Sequence, residues 1–195
     1  MSWFKNTLAI IGVLSLLLFA VVITKALPYW QKMDEFHPQA KHLYSQLLDD
    51  IFQSVSAVDA MTIRIPVKKG ISADEVDRSI KTISNELNIK KVGELPLYKE
   101  VEAISGAPFR YMKIYLLCDA MTAASMMNYN DAFSSFLPCR ITLLKDQNGQ
   151  LWMYTMNMDL MIYGGRRLPP ALETEALKIR NKILQIMNRA AIGDF

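Results

Sequence analysis

The sequence is poor in the residues from which disulfide scaffolds and common metal centres are built. It has two cysteines and two histidines among 195 residues, which excludes a disulfide-built fold and the usual zinc ribbons and fingers. The chain also has only a small excess of one sign of charge. Its 22 basic residues are offset by 19 acidic residues, and the formal net charge is +3. So small a surplus, spread along the chain, argues against nucleic acid as a partner, since that needs a clustered basic face.

Signatures of catalysis are also missing. The chain contains no G-x-S-x-G, no H-E-x-x-H, no phosphate-binding P-loop and no Rossmann glycine fingerprint. The carboxylates of Asp49, Asp50 and Asp159 have no companion base with which to share acid–base work. The sequence therefore predicts no catalytic residue and favours a non-enzymatic protein.

The chain does contain one long apolar run. Residues 7–24 carry no charge, and as a helix they extend about 27 Å, close to the thickness of a bilayer's hydrocarbon core. Trp3 precedes the run, and Tyr29 and Trp30 follow it, as in the aromatic belts at membrane interfaces. The residues around Lys25 make a poor signal-peptidase site, so we expect residues 1–26 to remain as a transmembrane anchor.

The location of the rest of the chain follows from that anchor. A very short N-terminal tail before a signal-like segment favours a cytoplasmic N-terminus. The sequence thus predicts a single-pass protein of the cell membrane, with its globular domain on the extracytoplasmic (periplasmic) side. We expect residues 27–60 to form a linker (27–36) and an amphipathic helix (37–58), and residues 61–195 to form one domain.

Periodicity within residues 61–195 predicts alternating strands and helices. Alternation predicts strands, and three- and four-residue apolar steps predict helices. The capping box that begins at Ser72 marks a helix start, and Asn148-Gly149 marks a hairpin turn. The predicted strands are 61–67, 89–97, 110–118, 139–145 and 150–158, and the predicted helices are 73–87, 98–104, 119–129 and 171–190. This order predicts an α+β two-layer sandwich, with a mainly antiparallel sheet and helices on one side.

The alternation also predicts which strand faces meet the core. In the strand over 110–118 we assign Met112, Ile114, Leu116 and Cys118 to the core. In the strand over 139–145 the core set is Cys139, Ile141 and Leu143.

These elements resemble a known family. The run YMKIYLLCD, followed by a helix and then AFSSFLPCRITLLKDQNGQLWM, resembles the family called domain of unknown function 302, as does SADEVDRSIKTISNELNIKKVGELPL upstream. The resemblance covers residues 61–160 and leaves the tail from 161 outside. It implies a compact α+β sandwich, often dimeric, with no established reaction and no catalytic residues to carry over.

Four sulfur-bearing residues are the candidate metal ligands: Met156, Met158, Cys118 and Cys139. The two methionines lie two apart in the strand predicted over 150–158 and so share a face. Thioethers and thiols select Cu(I), and methionine also ligates haem iron, although the C-x-x-C-H attachment motif is missing. The alternatives are inert buried thiols, a disulfide between the two strand ends, and methionines that fill the core or meet a partner.

Two further groups of residues have ordinary alternatives. Arg166 and Arg167, after two glycines, could hold an anion, whereas a solvated turn or a contact with lipid headgroups is the competing interpretation. His37 and His42 do not share a helix face, and we interpret them as surface or cap residues.

The sequence therefore supports two hypotheses from different classes. The first is a membrane-anchored, non-enzymatic accessory protein that packs against a membrane-protein partner or forms a homo-oligomer, because methionine-rich and tyrosine-rich strands suit adaptable interfaces. The second is an extracytoplasmic Cu(I)-binding or haem-binding protein that uses methionine and cysteine ligands.

Overall fold

An N-terminal helix precedes a unit of mixed strands and helices in the computed structural model, which describes residues 2–195. The helices are α1 (Ser2–Met33), α2 (Ala40–Ser54), α3 (Ala57–Ala60), α4 (Ala73–Glu86), α5 (Leu97–Ser105), α6 (Ala120–Tyr129), α7 (Asp159–Tyr163) and α8 (Pro170–Ala191), with a 3₁₀ turn at Asp131–Phe136. The strands are β1 (Thr62–Pro66), β2 (Lys90–Leu95), β3 (Met112–Cys118), β4 (Cys139–Lys145) and β5 (Leu151–Met156). The predicted strands and helices of the domain are thus confirmed, with shifted ends.

Helix α1 is long and apolar enough to cross a membrane. By length and composition its spanning segment is Asn6–Met33, 28 residues, none of it buried against the rest of the protein. The helix continues to Met33 and absorbs most of the linker predicted over 27–36, even though Pro28 lies inside it. Proline removes one backbone hydrogen bond, and here the helix continues beyond that gap.

The single helix predicted over 37–58 is divided in two. Val55 has a left-handed backbone (φ 53°), and Ser56 then starts α3 by accepting a hydrogen bond from the backbone N–H of Asp59. The apolar stripe of α2 is largely uncovered, since Phe52 is 79% exposed and Val55 is 90% exposed. The prediction missed the break because local serine caps compete with a continuous helix.

The five strands form one antiparallel sheet in the order β1-β5-β4-β3-β2. The Asn148-Gly149 turn joins β4 to β5 as predicted. Gly149 has a φ of +85°, which a residue without a side chain adopts without strain. Asp146 supports the turn by accepting hydrogen bonds from the backbone N–H groups of Asn148 and Gln150, each at 2.9 Å.

The hydrophobic core lies between one face of the sheet and helices α4 and α8. Helix α4 begins at the predicted capping box, where Ser72 Oγ accepts from the N–H of Glu75 and the Glu75 carboxylate accepts from the N–H of Ser72. Its buried residues include Val76, Ile80 and Ile83, and those of α8 include all six apolar residues predicted for its inner side: Leu172, Ala176, Ile179, Ile183, Ile186 and Ala190. The prediction that helices pack on one side of the sheet is thus confirmed.

The predicted core face of β3 is wrong. Tyr115 and Leu117 are the fully buried residues of β3, and they lie opposite Ile141 and Cys139 of β4. Met112, Ile114, Leu116 and Cys118 are only partly buried. The first three lie on the opposite face of the sheet, away from the core helices α4 and α8. The inward face of β4, with Ile141 and Leu143 fully buried, is confirmed.

Candidate functional site

Cys118 and Cys139 lie together at one end of the sheet. Cys118 is the last residue of β3 and Cys139 the first of β4, and Cys139 is paired with Leu117. This register places the Cα atoms of the two cysteines about 6 Å apart. Asp119 ends β3 there, because its Oδ1 accepts from the N–H of Thr122 at 2.9 Å and caps α6 as predicted.

An apolar cavity of about 40 Å³ adjoins the two cysteines. Two thiols and three thioethers belong to residues that line it: Cys118, Cys139, Met126, Met158 and Met161. Most of the remaining wall is apolar and includes Phe133, Phe136 and Ile179. A haem would need several hundred Å³, so this cavity has room for an ion and none for a porphyrin.

Both cysteines are free thiols, and their surroundings keep them protonated. Burial, reinforced by the neighbouring Cys118, raises the pKa of the Cys139 thiol to about 11. Burial and the nearby Asp119 carboxylate also raise the pKa of Cys118. Reactive cysteines have lowered pKa values, so neither thiol has the electrostatics of an activated nucleophile.

The two candidate methionines do not share a strand face. Strand β5 ends at Met156, and Met158 lies beyond it as the residue before α7, 8% exposed and packed into the core. The prediction ran β5 two residues too far, because an apolar run after a strand does not show where pairing stops. Met158 and Met161 therefore line the cavity with the cysteines, and Met156 does not.

Met156 instead lines a hollow of about 310 Å³ at the same end of the sheet. This hollow opens on the uncovered face, where Arg140, Thr142 and Tyr154 form part of its wall. Cys139, Met158 and Met161 line both spaces, so they separate the hollow from the small cavity. The sequence analysis did not foresee this hollow.

The uncovered face of the sheet is mainly apolar. We call it the open face, and define it by residues of the four strands β1, β5, β4 and β3 that alternate with the core residues: Thr62, Arg64, Pro66, Trp152, Tyr154, Met156, Arg140, Thr142, Leu144, Met112, Ile114 and Leu116. The guanidinium of Arg64 lies 5.6 Å from the ring centre of Trp152. The indole N–H of Trp152 donates to Asp146 Oδ2 at 3.0 Å.

The two candidate anion ligands each face a carboxylate. Arg166 forms an ion pair with Glu35, and Arg167 Nε lies 3.3 Å from Glu173 Oε2. Both guanidinium groups are mostly exposed. Gly165 ties this loop to the chain after α1, because its carbonyl accepts from the N–H of His37 at 2.8 Å. Arg166 and Gly165 therefore join the domain to the chain that follows α1, whereas Arg167 pairs within the domain.

His37 was expected at the surface or as a cap, and the structure places it in a buried position just before α2, whose N-cap residue is Gln39. It is 6% exposed, its Nδ1 accepts from the N–H of Gln39 at 3.1 Å, and its ring centre lies 4.7 Å from that of Tyr163. Its burial depends on Tyr163 and Glu173, which are more than 120 positions away and invisible to local periodicity. His42 is exposed as predicted.

A polar cluster around Asp77 escaped the sequence analysis entirely. Asp77 of α4 accepts from Lys113 Nζ and Lys81 Nζ, each at 2.6 Å, and from Tyr115 Oη at 2.7 Å. Burial alone would raise the pKa of Asp77, but these three hydrogen bonds together lower it to about 2. Only the Asp77–Lys81 spacing of four could have signalled it. The cluster joins α4 to β3 and opens onto no cavity that could hold a substrate among those found in residues 2–195.

Within residues 2–195, no three histidine, cysteine, aspartate or glutamate side chains are grouped so that they could hold a metal ion. Beside the two cysteines, the soft donors of the small cavity are the thioethers of Met126, Met158 and Met161.

Comparison with known proteins gives a family and a fold. The sequence model of a family described as domain of unknown function DUF302 matches residues 63–190, more than half of the chain. A crystal structure described as an uncharacterized conserved protein DUF302 from Bacillus stearothermophilus is similar at a TM-score of 0.55 and 17% identity, covering 67% of this chain and 98% of that one. No curated protein sequence matches. The expected boundary at residue 160 is wrong, because α8 supplies much of the core.

Proposed function

The chain belongs to the DUF302 family, and on that basis we propose that it is a membrane-anchored, non-enzymatic accessory subunit of a membrane-associated assembly. Family and fold assign no reaction, because one fold supports many functions. The observation that carries the proposal is the open face of the sheet. An uncovered sheet face that is mostly apolar is typical of a surface that meets another protein.

The open face is large enough to form the centre of an interface. Strands lie about 4.8 Å apart and advance about 3.3 Å per residue. The four strands of the open face, each of roughly six residues, therefore cover about 19 by 20 Å, or about 400 Å². This is about half of the ~800 Å² that each partner buries in specific complexes, so a partner would also contact residues around the open face.

The charges on the open face favour a different protein over a second copy of this one. Arg64 and Arg140 form no ion pair within the part of the chain that the structure describes. In a symmetric dimer they would face a surface whose bordering carboxylate, Asp146, already accepts from Trp152. An apolar partner surface with its own carboxylates complements them better.

Helix α1 supplies the anchor in this proposal. Its spanning segment is exposed along its whole length, as expected of a helix that lipid covers. We propose a single pass, with the domain on the extracytoplasmic side. Protease treatment of spheroplasts with a sealed inner membrane, made from cells that carry a C-terminal epitope, tests the orientation. Loss of the epitope is expected, and its complete protection would contradict this side of the membrane.

The interaction itself is tested with the full-length chain, purified in mild detergent from its native membrane. Mass spectrometry is expected to find a stoichiometric membrane protein with the wild type and with Arg78→Glu, a matched change on exposed α4. Arg140→Glu, also exposed, is expected to lose at least about 90% of the partner, because it turns attraction into repulsion. Thermal unfolding shows that both variants fold. A lone monodisperse chain, a homodimer, or equal recovery with both variants would contradict the proposal.

A further inference from the structure

The cavity beside Cys118 and Cys139 brings soft donors together from separate parts of the chain. Cys118 ends β3, Cys139 begins β4, Met158 precedes α7 and Met161 lies in its first turn. Residues more than 40 positions apart thus converge on one space of about 40 Å³. Met126 of α6 adds a third thioether to the same wall. A core built only for packing has no need to gather two thiols and three thioethers around an unfilled volume.

We propose that this cavity is a Cu(I)-binding site whose ligands are the sulfur atoms of Cys118, Cys139, Met158 and Met161. The site adjoins one end of the open face, because Cys139, Met158 and Met161 also line the hollow there. Copper binding is nevertheless measured separately from the accessory role proposed above.

The donor set favours Cu(I) over harder ions. Thiolate and thioether sulfur select Cu(I), whereas zinc sites use thiolate with imidazole or carboxylate in a closed tetrahedron. No histidine lines the cavity. The one carboxylate in its wall, Asp119, already accepts from the N–H of Thr122. Sulfur atoms are therefore the side-chain donors of this wall that remain available to bind an ion.

The surroundings favour a complex without net charge. One of the two thiols gives its proton to solvent and its sulfur lone pair to Cu⁺, so that one thiolate and one monovalent cation cancel. The other thiol, Met158 and Met161 then bind through neutral sulfur. A neutral cluster avoids the cost of burying charge in an apolar wall. No electron is transferred, since copper enters and stays as Cu(I).

Anaerobic titration of the full-length protein with Cu(I), against a coloured Cu(I) chelator, tests the site. One Cu(I) per chain is expected for the wild type. Met158→Leu with Met161→Leu is expected to weaken binding by at least about tenfold, because leucine fills the space without a donor. The matched control is Met121→Leu, at a methionine that is 78% exposed on α6, and it is expected to bind like the wild type. Absence of binding, or equal binding by all three proteins, would refute the proposal.

A second measurement does not depend on whether variants fold. X-ray absorption of the copper-loaded wild type is expected to show sulfur as the nearest neighbour of the metal, without nitrogen or oxygen. A nearest shell of nitrogen or oxygen would overturn the assignment even if copper binds. The double variant Cys118→Ser with Cys139→Ser is expected to bind Cu(I) at least about tenfold more weakly than the wild type, because it removes both thiols.

Discussion

Replacement of Asp77 by asparagine is expected to destabilise the protein in a pH-dependent way. The Asp77 side chain is 16% exposed and holds Lys113, whose side chain is 12% exposed, between α4 and β3. Its pKa falls from the ordinary 3.8 to about 2, which corresponds to roughly 2 kcal/mol of unfolding free energy. Lys81 is 37% exposed, and solvent there reduces the effect. We expect Asp77→Asn to cost about 1–2 kcal/mol at pH 7.

The pH dependence follows from the direction of the shift. A carboxyl group whose pKa is lower in the folded state stabilises the protein above its unfolded pKa, and that contribution disappears as the pH falls through the folded pKa. The wild type should therefore lose its advantage over Asp77→Asn between pH 4 and about pH 2. At lower pH the free energies of unfolding of the two proteins should differ only through the geometry of the hydrogen bonds at position 77.

Urea unfolding of the full-length protein in mild detergent measures this difference. Far-ultraviolet circular dichroism follows the domain at several pH values, and Asp49→Asn, an exposed carboxylate on α2, serves as the matched control. The control is expected to change the free energy of unfolding by less than about 0.5 kcal/mol. If Asp77→Asn matches its control at pH 7, or if its deficit stays constant down to pH 2, the explanation given for the cluster is refuted.

Three further predictions concern the core, a helix start and a thiol. Ile183→Ala, at a residue that is 1% exposed, should lower the free energy of unfolding by about 2–5 kcal/mol, whereas Ile192→Ala, 61% exposed, should change it little; equal effects would contradict the assigned core. Ser72→Ala should cost about 1 kcal/mol in the same urea assay, and no loss would show that the capping bond contributes nothing. In Cys118→Ser, iodoacetamide should modify Cys139 about tenfold faster for each pH unit from 8 to 10, because burial, the main cause of its raised pKa, remains. A rate that levels off near pH 8.5 would disprove the raised pKa.

The fold class was predictable because its local signals agree with one another. The capping box at Ser72, the turn at Asn148-Gly149 and the apolar spacing of α8 each depend on residues close in sequence, and the structure confirms all three. Local signals gave a wrong prediction where the residues on the two faces of a strand are similarly apolar. The core face predicted for β3 is the wrong one. The inward face carries Lys113, whose ammonium group is satisfied by Asp77, 36 positions away.

The candidate site was predictable only in part, for the same physical reason. Residue type alone selected the two cysteines and Met158, because few side chains offer soft sulfur. Their convergence with Met161 depends on where β5 ends and α7 begins. That boundary is set by loss of pairing with β1 after Thr62↔Met156. A single sequence carries no record of that pairing, so Met156 was included and Met161 was left out.

The outer strands of the sheet determine how copies of this chain behave when crowded together. Strand β1 ends in Pro66, which has no N–H to offer, and β2 carries Lys90, Lys91 and a register shift between Lys91 and Gly93. Growth of a fibril by strand addition needs a straight, uncharged row of unpaired backbone groups. Neither border provides one. At high protein concentration the chain should therefore not form amyloid-like polymers. Copies of the chain can associate through side-chain contacts, but not by pairing their backbones at the sheet edges.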